Sequence, residues 1–197
     1  PLQILAGPGS GKTRVLTSRV AHLVRDSAAP IAPERCVVVT FTNRAANEMR
    51  ARLETMIGAD RTRRLVLGTF HAVCVRFLRR WGTRLGLDPR FTIADTDDAR
   101  RLLRDVDRDA PVDATLAAIS RAKAHGWTPD ELRASAQHAP GSPAHTEHLA
   151  LCRTYAAYQQ QLRTSHALDF DDLLLLGVRL FRAVSYTHLT LPTIYSV

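Results

Sequence analysis

The sequence predicts an α/β fold in which a parallel β-sheet packs against helices and a separate, all-helical segment follows. Three observations support this fold class. A short apolar run, a loop and an amphipathic helix succeed one another three times within residues 1–86, which is typical of parallel strands joined by helices. The second run, CVVVTF, is rich in β-branched residues, as a buried parallel strand requires. From about Leu87 the pattern changes to short helices with capping residues.

The first of the three repeats contains a glycine-rich turn, AGPGSGKT, at residues 6–13. Residues 2–5 predict a short buried strand before it, and the apolar periodicity of residues 15–24 predicts a helix after it. Glycines let the backbone wrap tightly, so N–H groups at the helix start can point at phosphate oxygens. The strict pattern has glycine where this chain has Ala6, a mild departure because the position needs only a small residue. The flanking strand and helix disfavour the alternative, a Gly/Ser linker that happens to contain Lys-Thr.

This turn predicts a site for a nucleotide and Mg²⁺. The lysine would reach the β- and γ-phosphates, and the threonine hydroxyl would help to hold the metal. Lys12 and Thr13 are therefore the expected catalytic residues, with Thr13 as the expected metal ligand. The nucleotide-binding residues predicted from the turn are Ala6, Gly7, Pro8, Gly9, Ser10, Gly11, Lys12 and Thr13.

The second and third repeats place polar and aromatic residues where their strands end. A strand predicted over residues 35–41 leads through Thr42 or Asn43, as N-cap, into a helix at residues 45–57. A strand predicted over residues 64–70 leads into an amphipathic helix at residues 71–85. Ligands of parallel sheets gather at the carboxyl ends of the strands, so both loops are candidate binding sites.

Composition and charge favour an anionic partner. The chain has 197 residues, a formal charge of +8 and a pI near 10.2, and nucleic acid is the commonest partner of such a balance. Arginine-rich composition also arises from GC-rich codons, so the charge alone is weak evidence for nucleic-acid binding and a motif is needed to support it. The sequence contains no run long enough to span a membrane, and no membrane partner is expected. Three dispersed cysteines predict reduced core thiols and not a disulfide frame or a metal site.

Residues 87–165 predict a helical segment. Short helices are expected at 96–108, 112–125 and 128–136, the last with a capping box formed by Thr128 and Glu131. A loop at 138–145 and a long helix at 149–165 follow. In the DFDD motif after it, Asp169 is expected to cap a helix whose first turn holds Asp171 and Asp172. These acids could instead form a metal site, but capping of the helix is the favoured interpretation.

Taken together, three motifs resemble those of the UvrD/Rep/PcrA group of superfamily 1A DNA helicases. They are AGPGSGKTRVLTSRV, TFTNRAANEMRARL and GTFHAVCVRFLRR, and their order and spacing are far more specific than any one alone. LGLDPRFTIADTDDARRLL and ALDFDDLLLL are also similar to the fungal anti-recombinase branch. The resemblance extends to about residue 183 and implies a RecA-like P-loop NTPase domain, ATP with Mg²⁺ as cofactors, and ATP-dependent 3′-to-5′ stepping along single-stranded DNA. By the same resemblance, Arg14 would lie against the adenine.

The resemblance also implies that the TFTN and GTFH segments line a channel for single-stranded DNA. An exposed aromatic ring at a strand end is a stacking platform for a base, and nearby hydroxyls and amides can hold the backbone. Phe41 is the expected stacking residue, although a strand-ending phenylalanine is more often part of a core. The remaining expected contacts to sugar or phosphate are Thr40, Thr42, Asn43, Thr69 and His71. Arginines on the helix that follows read as a solvated basic face.

The resemblance divides the chain into four parts. Residues 1–86 correspond to the first part of domain 1A, 87–165 to the helical 1B subdomain, and 166–184 to the return into domain 1A. Residues 185–197 break from the composition of the body, resemble a translated sequencing adapter and are expected to be non-native. No acidic Walker B pair follows a hydrophobic strand, and the second RecA-like domain has no counterpart. The 197 residues are therefore expected to be a fragment with essentially no ATP hydrolysis.

Two other functions remain open at this point. The chain could be a nucleotide- and DNA-binding module without turnover, or a P-loop ATPase that remodels proteins and ignores DNA. TFTN and GTFH favour single-stranded DNA and single-strand/duplex junctions as partners, while the sequence identifies no protein partner. An intracellular location is expected, in the bacterial cytoplasm and nucleoid or in a eukaryotic nucleus.

Overall fold

The computed structural model describes residues 5, 7, 9–136, 139 and 141–185, and these residues form two compact units. The first contains the described residues up to Cys74 together with residues 184 and 185, and the second is Val75–Ala183. The boundary between the two compact units falls inside a helix. The boundaries predicted after residues 86 and 165 describe something different, namely which parts of the chain correspond to which subdomains of the family it resembles. Those boundaries stay predictions.

The first unit alternates helices with two short strands. After helix α1 the chain makes one π-helical turn, His22–Asp26. The described elements are α1 (Lys12–Ala21), β1 (Val37–Thr40), α2 (Asn43–Ile57), α3 (Ala59–Arg64), β2 (Val66–Thr69) and the start of α4 (Phe70–Trp81). This order confirms the predicted α/β class. Residues 2–4 of the first predicted strand lie outside the described residues. The prediction of a buried strand is wrong for its last residue, because Leu5 is 82% exposed and lies in no strand.

Strands β1 and β2 pair in parallel, with Val37 opposite Val66 and Thr40 opposite Thr69. Both strands therefore end at the same edge of the sheet. The sheet closes over a core in which Val20 of α1 and Leu53 of α2 are fully buried, and Val38 contributes from β1. Gly68 permits a close approach of β2 to α4, because a Cβ there would lie 3.3 Å from the Cβ of Ala72.

The second unit is mainly helical. It begins with the end of α4 and a 3₁₀ turn, Gly82–Leu85, and includes one short parallel ladder. Its described elements are β3 (Thr92–Ile93), α5 (Thr96–Val106), α6 (Val112–Ala124), α7 (Pro129–Ala134), α8 (Pro143–Thr164), β4 (Ala167–Leu168) and α9 (Phe170–Ser185). Leu103, Ile119, Tyr155 and Tyr158 lie at the centre of its core, each at most 1% exposed.

The β3–β4 ladder was not expected, because residues 87–165 read as helices alone. Thr92 pairs with Ala167 and Ile93 with Leu168, so the ladder joins the beginning and the end of this helical stretch. Two-residue strands are too short to produce a periodic signal. Their pairing is set by the packing of the helices between them, and that packing cannot be predicted from the pattern of one segment at a time.

Helix caps explain where most helices begin. The Thr128–Glu131 capping box is confirmed, since the Thr128 hydroxyl accepts from the Glu131 N–H and the Glu131 carboxylate accepts from the Thr128 N–H. A second box begins α5, with Asp95 and Asp98 in the same roles. Helix α8 starts at Pro143, earlier than predicted, because Ser142 caps it and accepts from the His145 N–H. The predicted loop at 138–145 is shortened accordingly.

The described residues contain no helix long and apolar enough to cross a membrane. Cys36, Cys74 and Cys152 are buried free thiols, as predicted, and burial raises the pKa of each. The predicted non-native tail lies outside the described residues, apart from Ser185 at the end of α9.

Candidate nucleotide and nucleic-acid sites

The glycine-rich turn leads directly into α1 with a geometry that only glycine adopts easily. Gly9 and Gly11 have φ angles of 75° and 84°, in the left-handed region. Gly11 is the N-cap of α1 and no side chain caps this helix end. The helix start therefore keeps backbone N–H groups and a positive dipole end without an acidic residue in its first turn.

Side chains of the turn fold back onto the Gly7 carbonyl. The Ser10 hydroxyl donates to the Gly7 oxygen at 2.6 Å, and the Lys12 ammonium donates to the same oxygen at 3.2 Å. Lys12 is exposed, and it spans the mouth of the turn. Thr13 is half-buried and Arg14 is exposed. Ala6 and Pro8, also predicted to contact nucleotide, lie outside the described residues.

The described part of the turn fits a phosphate group on chemical grounds. The backbone N–H groups of the uncapped helix start and the exposed Lys12 ammonium are donors to an anion, and no carboxylate of the first helical turn opposes them. Thr17, buried one turn further on, donates its hydroxyl to the Thr13 carbonyl at 2.9 Å, a bond within the first turns of α1.

Two phenylalanines stand side by side at the carboxyl edge of the sheet. Because Thr40 and Thr69 are register partners, the residues after them, Phe41 and Phe70, emerge together. Their ring centroids are 5.3 Å apart with a 49° tilt. Phe41 is 79% exposed and Phe70 is 40% exposed, so neither ring is buried in a core.

Two helix N-termini meet this aromatic pair. The Thr42 hydroxyl accepts from the Ala45 N–H at 3.1 Å and caps α2, which selects Thr42 over Asn43 as N-cap. The Thr69 hydroxyl accepts from the Ala72 N–H at 3.3 Å at the start of α4. Asn43 is exposed in the first turn of α2, and His71 is half-buried in the first turn of α4. The sheet edge thus brings together all six residues predicted to contact DNA.

Phe70 was missed by the sequence reading although a signal was present. Thr-Phe occurs at the end of both strands, at 40–41 and at 69–70. Phe41 was predicted to stack on a base because it ends a strand, and the same reasoning applies to Phe70. Arg50 was also missed: it donates from α2 to the Leu67 carbonyl at 3.1 Å and fixes α2 against β2.

The second unit contains a buried ion cluster, formed by Lys123, Asp169 and Asp172. The Lys123 ammonium lies 2.7 Å from Asp169 Oδ2 and 2.8 Å from Asp172 Oδ1, and its side chain has no exposed surface. Tyr158 donates its hydroxyl to Asp169 at 3.0 Å. Gln159 donates to Asp172 at 3.1 Å, while its own Oε1 is buried without a hydrogen-bond partner in the described part of the chain.

The ion cluster joins three helices and corrects the expected role of the DFDD acids. Asp169 does cap α9, since its Oδ1 accepts from the Asp172 N–H at 2.8 Å. However, both acids are buried and paired with a lysine of α6, so capping is only part of their role. The lysine was the missed residue. Its signal was its rarity, because Lys12 and Lys123 are the only lysines among 27 basic residues.

Burial shapes the electrostatics of this cluster. Desolvation raises the pKa of Asp172, and the nearby Lys123 ammonium opposes that shift. The pKa of the Tyr158 hydroxyl is also raised, first by burial and then by the Asp169 charge. One ammonium faces two carboxylates, which are held by hydrogen bonds as well as by charge.

The glycine-rich loop before a helix, together with parallel strands whose carboxyl edges carry the exposed residues, defines a phosphate-loop protein of the α/β class. The family model of the UvrD/REP helicase N-terminal domain matches residues 1–193. The chain belongs to this helicase family.

Several curated relatives are similar to the chain over nearly its whole length. An ATP-dependent DNA helicase PcrA from Leuconostoc citreum is 42% identical over 190 residues, which are 93% of this chain and 24% of the relative. Proteins of the same name from Staphylococcus epidermidis and Staphylococcus aureus are each 38% identical, over 95% and 93% of this chain respectively. The chain therefore spans about a quarter of the length of these relatives.

Proposed function

We propose that this chain is the nucleotide- and single-strand-binding part of an ATP-dependent DNA helicase that steps 3′ to 5′ along single-stranded DNA. The observation that carries the proposal is the exposed Phe41–Phe70 pair at the carboxyl edge of a parallel sheet. Two large aromatic rings in contact with solvent are costly for a soluble domain unless they bind something flat and apolar. Nucleobases are such ligands, and a ring pair accepts any base sequence.

In the proposed DNA site, each residue of the sheet edge has a distinct task. Phe41 stacks on a base, and Phe70 holds the Phe41 ring from its other side. The polar groups of Thr40, Asn43 and His71 contact sugar or phosphate. Thr42 and Thr69 contribute indirectly, because their hydroxyls are engaged in capping and leave the remaining N–H groups of α2 and α4 to face a phosphate.

In the proposed nucleotide site, the turn from Gly7 to Thr13 holds the phosphates of ATP. Backbone N–H groups at the start of α1 and the Lys12 ammonium would donate to phosphate oxygens, and the Thr13 hydroxyl would ligate Mg²⁺. Arg14, exposed in the first turn of α1, would lie against the adenine. When bound, ATP supplies the free energy for stepping. An intracellular location and action at single-strand/duplex junctions are parts of the same proposal.

The DNA proposal is tested by replacing Phe41 in the 197-residue chain. Phe41→Ala should weaken binding of a fluorescein-labelled oligo-dT by about 1–3 kcal/mol in an anisotropy titration, the usual value of one stacking contact. Phe41→Trp is the matched variant, because it keeps a ring at the same exposed position and should retain affinity. Unchanged affinity of Phe41→Ala, with circular dichroism showing an intact fold, would refute the proposed role of Phe41.

The nucleotide proposal is tested by Lys12→Ala. Loss of the ammonium should weaken binding of a fluorescent ATP analogue at least tenfold, since a charged hydrogen bond contributes about 1.5–3 kcal/mol. Ser18→Ala, an exposed change on the same helix, is the control. Equal binding by Lys12→Ala and the control would remove the turn from the nucleotide site.

The protein-remodelling ATPase and the binding module without turnover are separated from the helicase by DNA-dependent ATP hydrolysis, measured on a protein extended to the length of the PcrA relatives, of which this chain spans about a quarter. Turnover stimulated by single strands favours the helicase. Nucleotide binding that is indifferent to DNA favours the remodelling ATPase, and binding of both ligands without turnover favours the module.

A further inference from the structure

Helix α9 carries a stripe of side chains along one face. Its members follow one another at i, i+3, i+7 and i+11, and they are Asp171, Leu174, Val178 and Arg182. This spacing keeps them on one side of an α-helix, as in the seam between paired helices. Leu174 is 36% exposed and Val178 is 49% exposed, whereas Leu173 on the other side of the helix is fully buried. We name the four residues the α9 stripe.

An open groove of about 520 Å³ lies beside the α9 stripe, within the same unit. Its other wall is the turn after α6, where the rings of His125 and Trp127 stack at 4.9 Å. The Arg179 guanidinium donates to the Gly126 carbonyl at 3.2 Å and to the Glu131 carboxylate at 3.1 Å. Because acceptors of the groove already engage this guanidinium, apolar side chains are left to receive a second helix.

The two ends of the α9 stripe carry opposite charges. Asp171 is half-buried and Arg182 is exposed. Among the residues that the structure describes, neither has an oppositely charged group within 4.0 Å. A helical rise of about 16 Å separates the two positions, and the apolar pair lies between them. The stripe therefore offers an apolar centre with one unpaired charge of each sign at its ends.

We propose that the α9 stripe is an interface at which two copies of this chain pair, with their α9 helices antiparallel. A two-fold axis near Leu176 places Asp171 of each copy beside Arg182 of the other, and Leu174 beside Val178. A two-fold interface requires a surface that is complementary to itself. The α9 stripe meets this requirement because its opposite charges lie at equal distances from its centre.

Charge selects both the orientation and the occupant. A parallel pair would bring Asp171 against its own copy and Arg182 against its own copy, and like charges in contact oppose association. A helix of another protein would need a matching order of charges, whereas a second copy already has it. The stripe is short, so we expect a small, transient interface with a dissociation constant of about 10–1,000 µM.

This inference goes beyond the proposed function and uses none of the residues assigned there to nucleotide or DNA. The experiment is sedimentation equilibrium of the full 197-residue chain over this concentration range, without nucleotide or DNA. The average mass of the unaltered chain should rise from 21.8 kDa towards twice that value. Failure of DNA or nucleotide binding would leave this result unaffected, so the two proposals can fail separately.

Charge exchange identifies the interface. Asp171→Arg and Arg182→Asp each replace two attractions by two repulsions and should raise the dissociation constant at least about tenfold. An equimolar mixture of these two variants should associate again, because one copy then carries two positive ends and the other two negative ends. Both substitutions in one chain should also restore pairing. Asp130→Arg is the matched control, since it changes an exposed acid in the first turn of α7, and it should associate like the unaltered chain.

Three results would overturn the proposal. The first is an unaltered chain that remains monomeric over the whole range. The second is association that both single charge variants leave unchanged, because another face would then form the contact. The third is a mixture that fails to associate although circular dichroism shows both variants folded. Val178→Ser tests the same interface without altering charge, and it should raise the dissociation constant even if a charge variant folds poorly.

Discussion

The chain has two lysines, and the two units place them in opposite environments. Lys12 is exposed at the mouth of the glycine-rich turn and donates to the Gly7 carbonyl. Lys123 is completely buried and contacts two carboxylates at 2.7 and 2.8 Å. An exposed ammonium can exchange its contact for a ligand at little cost, whereas a buried one is part of the fold. The same charge is therefore accessible to a ligand in the first unit and is part of the buried structure in the second.

The largest expected effect is on stability when Lys123 is replaced. Lys123→Met leaves two carboxylates buried without their cation and should lower the free energy of unfolding by about 3–5 kcal/mol. Lys12→Met is the matched control and should change it by less than about 0.5 kcal/mol, because its side chain is exposed. Urea denaturation followed by circular dichroism measures both. Similar losses in the two variants would break the contrast between the units.

The same variant should also change the pH dependence of stability. Burial already raises the pKa of Asp172, and removing Lys123 removes the main group that opposes this shift. A carboxyl with a raised folded-state pKa contributes stability below its unfolded pKa, about 3.9, that is lost as pH rises through the raised value. The stability deficit of Lys123→Met should therefore be smaller near pH 5 than near pH 8. A deficit independent of pH would mean that Asp172 stays in one protonation state throughout.

Helix caps offer a smaller contrast between the units. Thr128→Ala removes both the cap of α7 and the hydroxyl that donates to Glu131 at 2.7 Å, so a loss of about 1–2 kcal/mol is expected. Thr42→Ala removes a single 3.1 Å cap of α2, and about 0.5–1 kcal/mol is expected. Serine at either position should restore most of the loss. A larger effect at Thr42 would show that the sheet edge depends on its cap more than the geometry indicates.

An effect of similar size to that of the caps is expected for the coupling between Phe41 and Phe70. A double-mutant cycle of Phe41→Ala and Phe70→Ala on oligo-dT affinity should give an interaction free energy of about 0.5–1.5 kcal/mol, typical of an aromatic pair. Additive losses would mean that each ring binds DNA alone. In that case Phe70 would not position Phe41.

The local sequence determined the features that neighbouring residues create. Glycines with left-handed φ, the Thr128 capping box and the β-branched run of β1 were readable because each depends on residues within a few positions. The fold class followed from repetition of the strand–loop–helix unit. Of the candidate DNA site, Phe41 was found, because a motif drew attention to its strand end.

Only the tertiary structure decided which distant residues meet. Phe70 joins Phe41 because β1 and β2 pair in one register, and that register depends on the packing of α2 across the sheet. Lys123 meets Asp169 across 46 residues because α6 and α8 share one core, and Asp169, the cap of α9, contacts residues of both helices. A sequence pattern reports the preferences of a segment for its own conformation, whereas burial and pairing of charges depend on chain contacts that form only when the segments pack together.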